Sequence, residues 1–459
     1  MRVLIVSFAF PPSRIIGAIR VGKTAKYLHR FGHDVRVVAG RDPPYETGAE
    51  MEIASGHVSE APWVNVDAPY EWVLKTVHAS RSFLRRNHAP THQAPWVNSA
   101  WDRLHGSGGE PKTTRRMAER VRLAYQDLFH LPDSSIGWFP SALREARRIA
   151  KQFRPDVIFA SAAPTTCLLV ARKLSRETGV PWVGDLRDLW ADNHYNEGSR
   201  LRKSVDQWIE RKTLRSASAL VTVSEPLADT LRAKYDVPVS VVLNGFDPED
   251  IEDAEGEEVV ASSPGLELLH SGTVLAQRDP SPLFDALKLM GDAGRDVRVV
   301  FLGPNGPDIR NHLRRLASER GVTDQLVFRD TVPHVDALRL QRRADVLLLL
   351  MWNNPLERGV YTGKLFSYIG ARRPIFSVGM SDGVAADLIR EHQLGFAVDT
   401  PAAIAQQLSL WLEEKRIHGR LAAPKCANVD EFTREAQTRK LEQVLLSVVA
   451  RTAAHHVTS

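Results

Sequence analysis

Lys364 is the residue whose placement promises the most chemistry. It follows Tyr361-Thr362-Gly363 and opens an apolar helical pattern, Leu365-Phe366-Ser367-Tyr368-Ile369. The first turn of a helix carries N–H groups with no intrahelical partner and the positive end of the helix dipole. An ammonium at the same place adds a full charge, so Gly363-Lys364 suits a phosphate or diphosphate. A second cation, Arg278, lies shortly after the turn His270-Ser271-Gly272-Thr273. Fixed cations of this kind can meet the charge of a departing diphosphate, as Mg²⁺ does elsewhere. The chain has no Asp-x-Asp triplet, and its two cysteines, Cys167 and Cys426, lack metal spacing. The expectation is therefore a site with no metal and no cofactor.

A second group of candidates lies in the N-terminal half. Gly184-Asp185-Leu186-Arg187-Asp188-Leu189-Trp190 follows a short apolar run, where the end of a strand presents side chains to a ligand. Asp185, Arg187 and Asp188 are candidates to face a ligand in a cleft; the plainer reading of the same residues is a local ion pair with a packed tryptophan. Residues 17–24 spell a phosphate loop, with Lys23 for the phosphates, Thr24 for Mg²⁺ and Asp185 as a metal-holding acid. That would make the protein a P-loop NTPase. Against it, residues 9–16 separate the motif from its strand, and the helical period already runs from Ala18. His270 reads as a core histidine at a strand end. The basic run 200–215 reads as the exposed face of a helix that also carries Val205, Trp208, Ile209 and Leu214.

Short buried-strand patterns position these residues. They fall at 3–8, 35–39, 156–160, 182–184, 219–223 and 240–243, with helical patterns such as 167–177 and 227–234 between them. The plan restarts at Leu266, with strands at 267–270, 297–302, 325–328, 346–350 and 374–378 and a helix over 280–290. Such alternation predicts an α/β protein of two Rossmann-like, doubly wound domains facing a central cleft. At 459 residues, two domains are also what length implies. The expected organisation is an N-terminal domain over 1–250, a linker over 251–265, a C-terminal domain over 266–430 and a terminal helix over 431–450, whose return to the first domain is what the family likeness given below implies. The linker lies in a stretch, 247–265, with eight Asp/Glu and no Lys or Arg. An insertion over 42–137 is basic and Trp-rich, with ten Lys/Arg against three Asp/Glu between Lys75 and Arg122. It reads either as a solvated insertion or as a surface that docks a membrane or an anionic lipid-linked substrate.

Composition narrows the class. Apolar content of 43% and charged content of 25% are those of a soluble globular protein, and a net charge of +5 is too small to imply a nucleic-acid partner. The opening apolar run ends at Pro11-Pro12, too short for a leader, and no later run is long enough to span a bilayer. The expected location is the cytoplasm, at most peripheral on the inner face of the cell membrane.

Taken in order, the motifs resemble the large family of retaining GT-B glycosyltransferases that includes sucrose synthase. Phe10-Pro11-Pro12 with Gly17 is similar to the family's first-strand loop over the donor. Asn244-Gly245-Phe246-Asp247 is similar to its entry to the linker, and His270-Ser271-Gly272-Thr273 with Arg278 to its C-domain entry. Gly303 after the run 299–302 resembles the next glycine turn, the stretch from Tyr361 to Ile375 the donor segment, and Phe432 and Arg434 the start of the terminal helix. The resemblance covers almost the whole chain.

That likeness implies transfer of a sugar, with retention and without metal, from a nucleotide-sugar donor to a hydroxyl on a glycan, lipid carrier or small molecule. It implies donor contacts at Gly17, Gly272, Thr273, Gly303, Glu357, Thr362, Gly363, Leu365 and Ser367, with Arg278 and Lys364 clamping the diphosphate. Asp185, Arg187 and Asp188 fall on the acceptor side. The chain departs from the family where two glutamates usually stand, at Gly359 and Ser367. Serine in place of the ribose-binding glutamate weakens that hold by ~1–3 kcal/mol and is compatible with a deoxyribose donor. Glu357 stands close to the first missing glutamate. The alternatives are an epimerase or hydrolase of sugar nucleotides on the same fold, the P-loop NTPase, and a scaffold without turnover.

Overall fold

In the computed structural model, residues 1–70, 112–193, 199–252 and 265–458 are described. Most of the basic insertion (71–111) and of the acidic linker (253–264) lie outside them. The described residues divide into two compact units. One comprises residues up to Leu243 together with Gln437–Ser459, and the other is Asn244–Ala436.

The first unit is a seven-stranded sheet of order β3-β2-β1-β4-β5-β6-β7. Its strands are β1 Arg2–Val6, β2 Asp34–Gly40, β3 Val58–Ala61, β4 Val157–Ala162, β5 Trp182–Leu186, β6 Ala219–Thr222 and β7 Val239–Val241. All pairings are parallel. An interior parallel strand is covered on both faces, which is why β1 is a continuous apolar run with no residue of 3–6 exposed. Alternate residues serve opposite layers. Leu4 and Val6 join Leu143, Ala146, Leu168 and Leu174 of the helices Phe139–Phe153 and Thr166–Thr178. Val3 and Ile5 join Val21, Ala25 and Leu28 of the helix Ile16–Arg30. The last helix, Arg434–Thr458, adds Leu441, Leu445 and Val448 to that second layer, spaced to share one helical face.

The second unit repeats the plan with six parallel strands in the order β10-β9-β8-β11-β12-β13. These are β8 Leu266–Ser271, β9 Val297–Leu302, β10 Leu326–Arg329, β11 Val346–Leu350, β12 Ile375–Val378 and β13 Gly395–Val398. Leu266, Leu268, Val299, Phe301 and Leu348 pack against Phe284, Leu287, Leu408 and Trp411 of the helices Ser281–Leu289 and Pro401–His418. The unit starts earlier than a domain boundary at 250 would place it. Phe246 donates its N–H to the Phe432 carbonyl (2.9 Å) and accepts from Arg434 N–H (2.6 Å), tying 244–247 into this unit. Gly245, at φ +70°, lies so close to that backbone that a Cβ would stand 2.8 Å from the Phe432 oxygen.

Each sheet reverses its winding once, between β1 and β4 and between β8 and β11. Ligands of doubly wound sheets bind at the strand C-termini around such reversals. Among the described residues, no helix is long and apolar enough to cross a membrane.

Candidate functional site

In the second unit the candidates converge on the end of β8. Gly272 adopts φ +101° and Gly303 φ +131°, conformations that glycine reaches freely. The two turns lie against each other, since a Cβ on Gly303 would stand 3.0 Å from the Gly272 Cα. The Lys364 side chain crosses the same spot, and a Cβ on Gly272 would meet its Cε at 2.9 Å. Lys364 Nζ donates to the Thr273 carbonyl (3.1 Å) and is 2.9 Å from His270 Nε2. His270 is fully buried, and its Nδ1 is 3.0 Å from the Leu348 carbonyl of β11. A carbonyl only accepts, so Nδ1 carries the proton and Nε2 offers its lone pair to the ammonium. His270 thus joins the two strands of the winding reversal and holds Lys364 over it.

No carboxylate meets Lys364 among the described residues. Its partners are a neutral imidazole and a carbonyl, and the neighbouring charge is the like charge of Arg278. Burial first, and Arg278 second, push the Lys364 pKa well below the ordinary lysine value. Burial, then the charge of Lys364, likewise pushes His270 well down and keeps it neutral. A half-buried cation beside a second cation, with neutral acceptors alone, is a site short of negative charge. A diphosphate would supply it.

Other donor-side candidates of this unit lie on the helix that Lys364 opens and on the segments before it. Gly363 and Lys364 begin the helix Gly363–Ala371, preceded by Thr362 in extended conformation. Thr362 is 5% exposed, and its hydroxyl finds no partner among the described residues. Leu365 and Ser367 are a different matter. Leu365 is a core residue whose N–H closes the first turn on the Thr362 carbonyl (3.1 Å), and the Ser367 hydroxyl donates to the Lys364 carbonyl (2.9 Å). Both have their donors committed within the helix. Glu357 is buried at the end of the one-turn helix Pro355–Glu357. Arg278 lines a cavity of about 220 Å³ with Asp279, Ser281 and His312, walled by Leu313 and Leu316.

The first unit corrects the reading of Asp185. Its carboxylate is fully buried and faces Arg20 in a two-point pair, Nε–Oδ2 at 3.2 Å and Nη2–Oδ1 at 3.1 Å, with the Ser161 hydroxyl at 2.8 Å. Arg20 also donates to the Val242 and Leu243 carbonyls. Asp185 is therefore an anchor between β5 and the first helix, with no open face toward an acceptor. Arg187 fits a ligand site better. It donates to the Ala162 and Ala163 carbonyls (2.7 and 3.1 Å) at the end of β4, and its guanidinium lies where a Cβ on Gly17 would stand. The structure so brings Gly17 and Arg187 together at the reversal between β1 and β4. Asp188 is exposed.

The phosphate-loop lookalike is ruled out by geometry. Residues 17–24 lie within the helix Ile16–Arg30, Lys23 pairs with Glu52, and the Thr24 hydroxyl donates to the Arg20 carbonyl (2.9 Å). A phosphate loop needs irregular backbone with its N–H groups turned inward, and here those groups sit within a helix. Sequence reasoning missed the part of His270. The residue type was visible, but its alignment with Lys364 depends on a pairing across 94 residues.

Comparison with known proteins bears on the fold. A family profile described as Glycosyltransferase Family 4 matches residues 104–250. No curated protein sequence matches the chain. Among solved structures, the fold is similar to Anabaena HepE in complex with UDP and glucose (TM-score 0.60, 14% identity, 97% of this chain and 100% of that one). It is similar also to sucrose-phosphate synthase from Thermosynechococcus elongatus (TM-score 0.59, 12% identity, 98% and 100%). WaaG, a glycosyltransferase involved in lipopolysaccharide biosynthesis, is a third (TM-score 0.54, 13% identity, 96% and 99%). The two parallel-sheet units share the GT-B fold of these proteins. Together with the family profile, the fold supports a GT-B glycosyltransferase.

Proposed function

We propose that the protein transfers a sugar from a nucleotide-sugar donor to a hydroxyl acceptor, with retention and without a metal ion. The carrying observation is Lys364, held by His270 and Thr273 over the Gly272–Gly303 turns with no carboxylate among the described residues to answer its charge. In this reading the donor diphosphate supplies that charge. Arg278 approaches the same anion, and the buried Thr362 hydroxyl and the Gly363 N–H complete the helix N-terminus. The glycine turns leave room for the diphosphate against the backbone. As the bond to the sugar breaks, negative charge grows on the leaving diphosphate, and the two cations stabilise it. The acceptor hydroxyl attacks from the leaving-group face and passes its proton to a diphosphate oxygen, so no protein nucleophile is required. Arg187 serves the acceptor side, with Asp188 at its solvent edge, and Gly17 stays among the donor contacts.

Structures similar to this one hold UDP and UDP-glucose, which places uridine donors first in a test panel. Ser367, where the family has a ribose-binding glutamate, keeps a deoxyribose donor in the same panel. A thermal-shift screen with UDP, GDP, ADP and dTDP sugars selects the donor, since a ligand at one hundred times its Kd adds about 2.7 kcal/mol of stability. Product formation with acceptor, insensitive to EDTA and retaining the donor's anomeric configuration, is the expected result. Loss of activity in EDTA with recovery on Mg²⁺ would sink the metal-free reading. Donor turnover with no acceptor present would replace transfer by epimerisation or hydrolysis.

A further inference from the structure

The helix Arg200–Leu214 in the first unit divides its residues by charge in an unusual way. Its two acids face inward. Asp206 is 1% exposed and pairs with Arg202 (Nε–Oδ2 2.7 Å), while Glu210 is 3% exposed and accepts from Ala191 N–H and the Tyr235 hydroxyl. Facing outward are Arg200, Lys203, Arg211 and Lys212, followed by Arg215 just past the helix end. None of these five forms an ion pair among the described residues. Residues 199–216 therefore show solvent five cations and no anion.

The same exposed side carries large apolar groups. Leu201 is 77% exposed and Trp208 58%, seven residues apart and so on one flank of the helix. The Lys212 ammonium lies 3.9 Å from the centre of the Trp208 ring. Beside the first turn runs the end of the helix Lys112–Phe129, joined to it by Ser199 N–H on Asp127 Oδ2 (3.3 Å) and by Arg202 on the Gln126 carbonyl (2.9 Å). That end adds Leu128, 70% exposed, and Phe129, 47% exposed. Four large apolar side chains thus stand outward on helices joined at this face, one of them, Trp208, under a lysine ammonium. A surface that is at once apolar and cationic, with a tryptophan at its edge, matches the boundary of an anionic lipid bilayer. A partner protein of ordinary composition would offer only scattered acids to so uniform a charge.

We infer that this two-helix face docks the protein on an anionic phospholipid surface. Leu201, Trp208, Leu128 and Phe129 enter the headgroup boundary, and the five cations hold lipid phosphates. The inference is independent of the sugar-transfer reading, because a vesicle assay needs no donor and no turnover. The test is co-sedimentation of the full chain with vesicles of phosphatidylcholine alone or in equal parts with phosphatidylglycerol. Binding to the anionic vesicles alone, weakening as salt is raised, is expected. The double variants Leu201→Ser/Trp208→Ser and Arg211→Glu/Lys212→Glu should each lower that binding at least tenfold while keeping the wild-type unfolding temperature, since all four side chains are exposed. Equal binding to both vesicle types, no binding to either, or variants that bind like wild type would each overturn the inference. So would a molar mass in vesicle-free solution, read by light scattering, that is a multiple of the chain mass in wild type and falls to a single chain in the variants, which would make the face a contact between copies of the chain.

Discussion

Arg20 and Lys364 are both cations enclosed near the end of a central strand, and they differ in what answers them. Arg20 meets a fully buried carboxylate, Asp185, and donates also to the Val242 and Leu243 carbonyls. Its charge is settled within the fold. Lys364 meets an imidazole and a carbonyl, both neutral, and sits near Arg278. Its charge is left for something else to settle. A cation thus serves stability in one unit and readiness for an anion in the other. Removing one partner of a buried pair is costly, whereas removing an unanswered buried cation relieves the fold.

The contrast can be broken first at Asp185. Asp185→Ala leaves Arg20 buried and unanswered, and about 3–5 kcal/mol of stability should be lost. Urea unfolding measures it; a loss under 1 kcal/mol would mean the pair is a surface-like contact. Lys364→Met should do the reverse, raising the unfolding temperature while donor affinity drops by ~2–3 kcal/mol, the worth of charged hydrogen bonds to a phosphate. Calorimetry with the selected nucleoside diphosphate, set beside a melting curve, separates the two effects. A variant that melts earlier and still binds would show Lys364 to be structural.

Gly303→Ala probes the turn under the lysine. At φ +131° and 3.0 Å from the Gly272 Cα, the new methyl should cost about 1–3 kcal/mol and weaken donor binding with it. His270→Leu is smaller in effect: Lys364 keeps its charge and loses one tether, so donor affinity should fall roughly tenfold, about 1.4 kcal/mol. Restoration by His270→Gln, whose carbonyl can accept from the ammonium, would identify the tether as the cause.

The smallest effect is on pH. The depressed pKa of Lys364 means that, above it, the folded protein has lost a proton that the unfolded chain still holds. Stability from this group therefore rises with pH from the depressed value toward the ordinary 10.5. Donor binding runs the other way, because the diphosphate draws the proton back, and affinity falls as pH rises through the same window. Calorimetry in alkaline buffers of different ionisation enthalpy reads the proton uptake. Identical heats in all buffers would show that Lys364 stays charged throughout.

Much of this was legible in the chain. The interior strands are unbroken apolar runs because both faces are covered, and each was found within a few residues. β3 and β13 were not; both are four-residue edge strands with only partial burial. Lys364 was readable because a helix N-terminus is a local object. Asp185 was not readable as an anchor, because its partner Arg20 lies 165 residues away. The motif at 17–24 misled for the opposite reason: its letters are local, but whether they form a loop or a helix depends on where Val21, Ala25 and Leu28 are buried. Gly303 was found as a turn glycine, and its pressure on Gly272 came only with the pairing of β8 and β9.

The last helix carries a consequence for biosynthesis. Leu441, Leu445 and Val448 complete an apolar layer begun by Val3 and Ile5, while Asn244–Ala436 forms the other unit in between. On the ribosome the first-made half must wait, one layer open to water, until the last-made helix has left the exit tunnel. The later-made half has all its parts sooner. The order of maturation is therefore opposite to the order of synthesis, and a released chain truncated after Ala436 should hold a protease-resistant second half beside a still-digestible first one.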